Sequence, residues 1–231
     1  MPDLLDDLRR RIAEAGDPSR AAQMRAYMKS GLPYRGVTSV PLRTLCREVI
    51  AAHPAPDRAT WEANVRALWD EADYREERYA ALALARHRLY RAHQDADTLE
   101  LYRDLIVSGA WWDVVDDLAS HHVGDILAAD PDRVTPVMRA WAVDDDLWLR
   151  RTAIICQLGR KDATDLDLLR HALTHNLEDS LHGRQFFVRK AVGWALRQHA
   201  RIDPDWVRAF VADHEANLSG LSRREALKHL A

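Results

Sequence analysis

The sequence predicts an all-α fold made of stacked helix pairs, and three observations carry that prediction. Apolar residues recur at three- and four-residue steps, the spacing that lines one face of a helix. No stretch sustains apolar–polar alternation with turn dipeptides, and glycine and proline are scarce at nine each. The third observation is a repeat. Arg78-Tyr-Ala80-Ala-Leu82, Arg151-Thr-Ala153-Ile-Ile155 and Arg189-Lys-Ala191-Val-Gly193 share Arg-x-Ala-apolar. The last two lie 38 residues apart and the first two 73 apart, so the intervening step lands at about residue 115. A period of 37–38 built from helix pairs points to HEAT-like repeats, which run to about 40 residues. Tetratricopeptide repeats, at about 34, fit less well and their Trp/Gly/Tyr pattern is absent. Stacked pairs curve, and one helix of each pair lines the concave face.

Taken in order, the first helix runs from about Asp3 to Ala15 and stops at Gly16-Asp17-Pro18. The second, Ser19 to Lys29, carries Met24, Tyr27 and Met28 on one side and ends at Ser30-Gly31. After the loop Leu32-Pro33-Tyr34-Arg35-Gly36, Ser39 followed by Pro41 reads as an N-cap and first turn. That third helix stops near His53-Pro54. Further helices are expected over 58–71, 74–92, 97–107, 111–129, 132–142, 147–159, 164–177, 184–200, 204–216 and 221–230. Asp57, Asp97, Asp130-Pro131, Asp144-Asp145-Asp146 and Asp203-Pro204 mark their starts, as N-cap and N1 residue types do. One domain is expected over residues 1–231, with N-terminal helices in 1–30 and helix-pair repeats from about 39 to 231.

Composition narrows the class. With 47% hydrophobic residues over 231 positions the chain can bury a sizeable core. The start, Met1-Pro-Asp-Leu-Leu-Asp-Asp, lacks a cationic region and apolar core, and the longest apolar run, Tyr79 to Ala85, is far short of a membrane span. A soluble, cytoplasmic protein is expected. Cys46 and Cys156 imply no disulfide framework. The net charge of −3 hides an asymmetry: residues 150–231 carry 14 Lys+Arg against 10 Asp+Glu, whereas 1–149 carry 19 against 26. A basic C-terminal third can present a positive face, or simply a solvated one.

The densest chemistry lies in Trp111-Trp112-Asp113-Val114-Val115-Asp116-Asp117, which follows Ser108-Gly109-Ala110. Trp112 and Asp116, four apart, share a helix face and set an indole beside a carboxylate. Such a pair suits a site where positive charge develops. Asp113, earlier in the helix, reads as an offset to the helix dipole. By the repeat, Trp112, Asp116, Arg151 and Trp194 fall on equivalent helices of three consecutive repeats. Gly193, inside a helix beside Trp194, implies close approach of either a ligand or a neighbouring helix. Arg150-Arg151, Arg189-Lys190 and Arg197 offer groups suited to phosphate, although arginines in such scaffolds also make internal ion pairs. His171 and His175, with Glu178 following, have ligand spacing but an incomplete ligand set, so no metal is expected. His121 and His122 are adjacent and point to different sides. Glycine-rich phosphate loops, Gly-x-Ser-x-Gly and Cys-x-x-Cys are absent from the sequence.

Six segments in order carry a family resemblance over nearly the whole chain, from about Ala21 to His229. They are Met24-Arg-Ala-Tyr27-Met28-Lys29; Gly36-Val37 with Pro41-x-Arg43; Trp111-Trp112-Asp113-x-Val115-Asp116; Trp148-Leu149-Arg150-Arg151-x-Ala153-Ile154; Phe186-Phe187-x-x-Lys190-Ala191-x-Gly193-Trp194-x-Leu196-Arg197; and Leu221-Ser222-x-Arg224-Glu225-Ala226-x-Lys228-His229. The chain resembles the DNA alkylation repair enzymes, the AlkD-type DNA glycosylases. The resemblance implies a right-handed superhelical solenoid of HEAT-like helix pairs with a concave DNA-binding groove. It implies Asp116 as the catalytic carboxylate, Trp112 and Trp194 as groove tryptophans and Arg151 as a DNA-backbone contact. Tyr27, Lys190 and Arg197 match further groove positions. It also implies an enzyme that acts on double-stranded DNA; no cofactor or metal is expected, and a solenoid of this length is expected to work as a monomer. The reaction would be hydrolysis of the N-glycosidic bond of cationic alkylpurines such as 3-methyladenine and 7-methylguanine, bulky N3 or N7 adducts included, with the base left stacked. A non-catalytic HEAT-repeat binder of branched or damaged DNA is the alternative.

Overall fold

The computed structural model describes residues 3–230; the ends of the expected domain, residues 1–2 and 231, lie outside them. Among the described residues there is no strand, and the fold is all-helical as expected. No helix among them is long and apolar enough to cross a membrane. Fourteen α-helical segments are present among these residues, and the chain divides into two compact units, 1–94 and 95–231.

The first unit holds α1 (Leu4–Glu14), α2 (Pro18–Met28), α3 (Ser39–Ala52), α4 (Arg58–Asp70) and α5 (Arg75–Ala85). Helices α1, α3, α4 and α5 pack together around Leu8, Ile12, Ile50, Trp61 and Leu68, all essentially sealed from water. Asp3, Asp17 and Asp57 cap α1, α2 and α4 by accepting from backbone N–H groups, which satisfies donors that a helix start leaves unpaired. Glu76, fully buried in the first turn of α5, accepts from the N–H groups of Arg35 (3.0 Å), Gly36 (2.8 Å) and Val37 (3.1 Å) and so pins the loop before α3. Helix α2 differs from its neighbours: Met28 is its only buried residue, and Tyr27 is 77% exposed.

Two local expectations shift here. Helix α3 takes Thr38 as N-cap, with no side-chain bond, so Ser39 lies inside the first turn. The helix expected over 74–92 ends at Ala85, and residues 88–93 form a 3₁₀ segment bent at Tyr90 (φ −109°). His87 accepts the Leu89 N–H there, and the Tyr90 hydroxyl accepts the Ala55 N–H at 2.8 Å. That tertiary bond and the tighter turn replace a continuation that apolar spacing alone would allow.

The second unit is a succession of helix pairs. It comprises α6 (Leu99–Gly109), α7 (Trp112–Asp117), α8 (Gly124–Ala129), α9 (Pro131–Trp141), α10 (Leu147–Ile155), α11 (Leu166–Thr174), α12 (Phe186–His199), α13 (Pro204–Asp213) and α14 (Gly220–Ala226). A π turn over Leu118–Val123 joins α7 to α8 into one continuous helical run. Helices α7, α10, α12 and α14 form a row in which each packs on the next. They begin at residues 112, 147, 186 and 220, spacings of 35, 39 and 34 that scatter around the 37–38 read from the sequence; the Arg78 copy of that repeat lies on α5, in the first unit. Helices α9 and α11 pack on each other and on α10, and α13 packs on α12 and α14. Asp130, Asp146, Asp165 and Asp203 cap α9, α10, α11 and α13.

Close approach within the row depends on missing side chains. A Cβ on Gly193 would sit 2.7 Å from Glu225 Cβ and 3.0 Å from Ser222 Cα, so this glycine lets α14 lie against α12. Of the two sequence readings of Gly193, helix packing is the one observed. A Cβ on Gly124 would sit 2.6 Å from the Cys156 carbonyl oxygen. Cys46 and Cys156 are both buried free thiols, and burial pushes each up to about 12.

Candidate active site

Helix α7 is short, and its start is set by backbone geometry. Ala110 closes α6 in the left-handed conformation (φ 40°), and Trp111 is extended, its carbonyl accepting from the N–H groups of Val114 and Val115. Trp112 and Asp116 therefore stand one turn apart on one face, as their spacing predicts. Trp112 is half-buried, and the Asp116 side chain keeps 20% of its surface exposed. Immediately after Asp116 the helix widens into the π turn, where Ser120 Oγ donates to the Asp116 carbonyl oxygen at 2.5 Å. Single π turns inside α-helices recur at functional sites.

Arg151, on α10, meets Asp116 in a fork: Nε to Oδ1 at 2.7 Å and Nη2 to Oδ2 at 2.8 Å. Its Nη1 donates to the Phe187 carbonyl oxygen at the start of α12. One guanidinium thus ties together α7, α10 and α12. Bidentate pairing of this kind fixes the plane of the carboxylate as well as its position. Three of arginine's five N–H donors are used, and two remain. Burial pushes the Asp116 carboxyl above its ordinary range, the Arg151 hydrogen bonds and charge pull it back, and the charge of Asp113 adds a push upward; the net direction is up.

The adjacent Arg150 does something else. It is buried and donates to the carbonyl oxygens of Val143 (2.9 Å), Asp144 and His175 (3.2 Å), clamping the turn before α10. The basic dipeptide splits into one residue that holds loops and one that holds the carboxylate.

An aromatic wall that sequence reasoning did not single out as functional stands beside the pair. Trp111 packs edge-on against Phe187 (5.4 Å between centroids) and tilted against Trp148 (6.4 Å), while Trp148 and Phe187 lie 5.0 Å apart. The Arg151 guanidinium carbon sits 5.8 Å from the Phe187 ring. Phe186, 53% exposed, meets Phe187 edge-on. The available signal was spacing: Trp148 lies three residues before Arg151 and hence on its face.

Trp194 is half-buried on α12, seven residues after Phe187, and shares its helix face. Lys190 and Arg197 flank Gly193 on α12, and both engage Glu225 of α14: Lys190 Nζ at 3.2 Å, and Arg197 through a close Nη1 contact with the other carboxylate oxygen. Burial pushes the Glu225 carboxyl up, but Lys190, Arg197 and Lys228 outweigh it and hold it below its ordinary range. Two of the expected phosphate contacts are therefore occupied by an internal acid. Tyr27 belongs to the other unit, exposed on α2. His171 Nε2 and His175 Nδ1 hydrogen-bond with the carbonyl oxygens of Arg139 (3.1 Å) and His171 (2.9 Å).

The family model for the DNA alkylation repair enzyme matches residues 8–230. A solved structure, the predicted DNA alkylation repair enzyme from Enterococcus faecalis, is similar with a TM-score of 0.82 and 28% identity, over 94% of this chain and 97% of that one. No curated protein matches the chain. With its row of helix pairs and a matched span that takes in Asp116, Arg151 and both site tryptophans, the chain belongs to the DNA alkylation repair enzyme family.

Proposed function

We propose that the protein is a DNA glycosylase that hydrolyses the N-glycosidic bond of cationic alkylated purines, 3-methyladenine, 7-methylguanine and bulky N3 or N7 adducts among them, without flipping the base. The observation that carries this reading is the Asp116 carboxylate, oriented by Arg151 and flanked one turn earlier by Trp112. An alkylated purine already bears positive charge and leaves without much help from an acid. What needs stabilising is the oxocarbenium-like sugar, as in glycoside hydrolysis generally. A fixed carboxylate of low exposure does that electrostatically, and it can orient or deprotonate the attacking water. Trp112 and Trp194 supply π faces to the cationic sugar and base, each worth about 0.5–2 kcal/mol. Arg151 holds Asp116 and offers its two remaining N–H donors to the DNA backbone. Tyr27, Lys190 and Arg197 complete the DNA contacts in this reading, the last two after exchanging Glu225 for phosphate.

The test is release of free base from duplex DNA carrying 7-methylguanine, with wild type and Asp116→Asn side by side. Wild type should release base, and the variant should bind DNA but lose at least about 100-fold in rate, the scale of one electrostatic stabiliser. Equal rates would remove Asp116 from the chemistry.

A further inference from the structure

Asp116 has a neighbour on either side in the turn before it. Trp112 lies four residues back and Asp113 three, and both spacings bring side chains together on a helix surface, with about 5–6 Å between Cβ atoms. Asp113 and Asp116 are both partly exposed, whereas Val114 and Val115 between them are sealed. The carboxylate that Arg151 holds thus has an indole on one flank and a second carboxylate on the other.

From sequence alone Asp113 reads as an offset to the helix dipole. The row of helices does not follow that habit: α10, α12 and α14 carry no acid in their first turn, and α7, the one that does, is the one that holds Asp116. Charge balance gives Asp113 another task. A carboxylate bound in a fork by a guanidinium is close to neutral as a unit, which suits a fold better than a site where a cation forms. Asp113 returns one negative charge to it. Around α7, α6 carries Glu100, Arg103 and Asp104, the π turn carries His121 and His122, and α10 carries Arg150 beside Arg151. Lys190 and Arg197 of α12 are held by Glu225. Burial raises the Asp116 carboxyl most; of all these charges, Arg151 pulls it down and Asp113 pushes it up, which makes Asp116 the stronger base.

We propose that Asp113 is a positioning residue for base release: with Arg151 already neutralising Asp116, it supplies the net negative charge that faces the sugar as it turns cationic. This rests on the glycosylase reading of the site. It adds to that reading a second carboxylate, which acts through the first and touches no reacting atom.

Wild type, Asp113→Asn and Asp113→Glu are compared in single-turnover release of 7-methylguanine from duplex DNA across pH. The Asp116 carboxyl is titrated in the same chains without DNA, by NMR on carboxyl-labelled aspartate. Asp113→Asn should release base about tenfold more slowly at neutral pH, the effect of one charge about 5–6 Å away seen through a dielectric between those of protein and water. It should bind duplex DNA at least as tightly, having lost a negative charge, and both the rate profile and the carboxyl signal should titrate at lower pH. Asp113→Glu should restore wild-type behaviour in all three. Should the asparagine variant not fold, Asp113→Ser, whose short side chain also suits a helix start, carries the same expectations. A slower variant whose Asp116 signal titrates as in wild type, or one that loses DNA affinity along with rate, would confine Asp113 to the helix dipole and overturn the proposal. Wild type that releases no base would instead refute the glycosylase reading, and the carboxyl titration would still decide whether Asp113 acts on Asp116.

Discussion

Replacing Arg151 by alanine strands the Asp116 carboxylate. The two side chains are 5% and 20% exposed and share two hydrogen bonds, so removing the guanidinium leaves a poorly solvated charge with no ionic partner. Breaking a buried pair from one side costs about 3–5 kcal/mol, and the fifth of Asp116 that water reaches puts this case near about 3. For a chain of this size that is a fall in melting temperature of about 6–12 °C. Asp116→Asn strands the arginine instead and should cost about 2–3 kcal/mol on the same reasoning. In the double variant neither charge remains, so its cost should fall short of the sum by about 2 kcal/mol. Urea unfolding of the four proteins, followed by far-ultraviolet circular dichroism, measures that coupling. Costs that add to within about 0.5 kcal/mol would show that the pair contributes nothing to the fold and would refute the argument that Arg151 fixes Asp116.

Three other outcomes are expected. On the proposed reading base release requires Asp116 ionised; its carboxyl lies above the ordinary value of 3.8, so the rate should fall with decreasing pH through a midpoint above 3.8. Arg151→Ala removes the downward pull and should move that midpoint higher; since the native pKa exceeds the unfolded one, this group's contribution to stability declines as pH rises through the same window. Gly193→Ala forces a methyl to within 2.7 Å of Glu225 Cβ and should cost about 1–3 kcal/mol by urea unfolding, whereas a neutral effect would mean that α14 yields freely. Glu225→Gln frees Lys190 and Arg197, so DNA affinity should rise and the slope of log K against log salt should steepen by about 1–2; an unchanged slope would return both cations to a purely structural role.

The fold was largely legible because its signals are local. Aspartates at helix starts, the three- and four-residue apolar steps and the recurring Arg-x-Ala each describe one segment and its neighbour, and in the second unit the chain is built of neighbours. What the sequence hid are contacts between segments far apart. The break of the helix after Ala85 depends on an Ala55–Tyr90 bond, and the role of Lys190 and Arg197 depends on Glu225, which lies 35 and 28 residues further on. The site divides the same way. The Trp112–Asp116 face follows from helical spacing alone. The bidentate Arg151 bond and the Trp111, Trp148 and Phe187 wall need three helices to meet. Gly193 shows the limit most clearly, since a glycine signals close approach without naming what approaches.

The π turn over Leu118–Val123 has a consequence for how tolerant this site is of changes in chain length. A π turn holds one residue more than the α-helical path it replaces, and each residue of an α-helix advances the facing direction by about 100°. The turn therefore acts as a phase shifter between the apolar stripe of α8, Ile126 and Leu127, and the Trp112–Asp116 face of α7. A descendant of this chain that lost one residue between Leu118 and Val123 would gain a regular helix and better local hydrogen bonding. It would also swing Asp116 away from Arg151 by roughly a quarter of a turn, so the less regular helix is the one that keeps carboxylate and guanidinium in register.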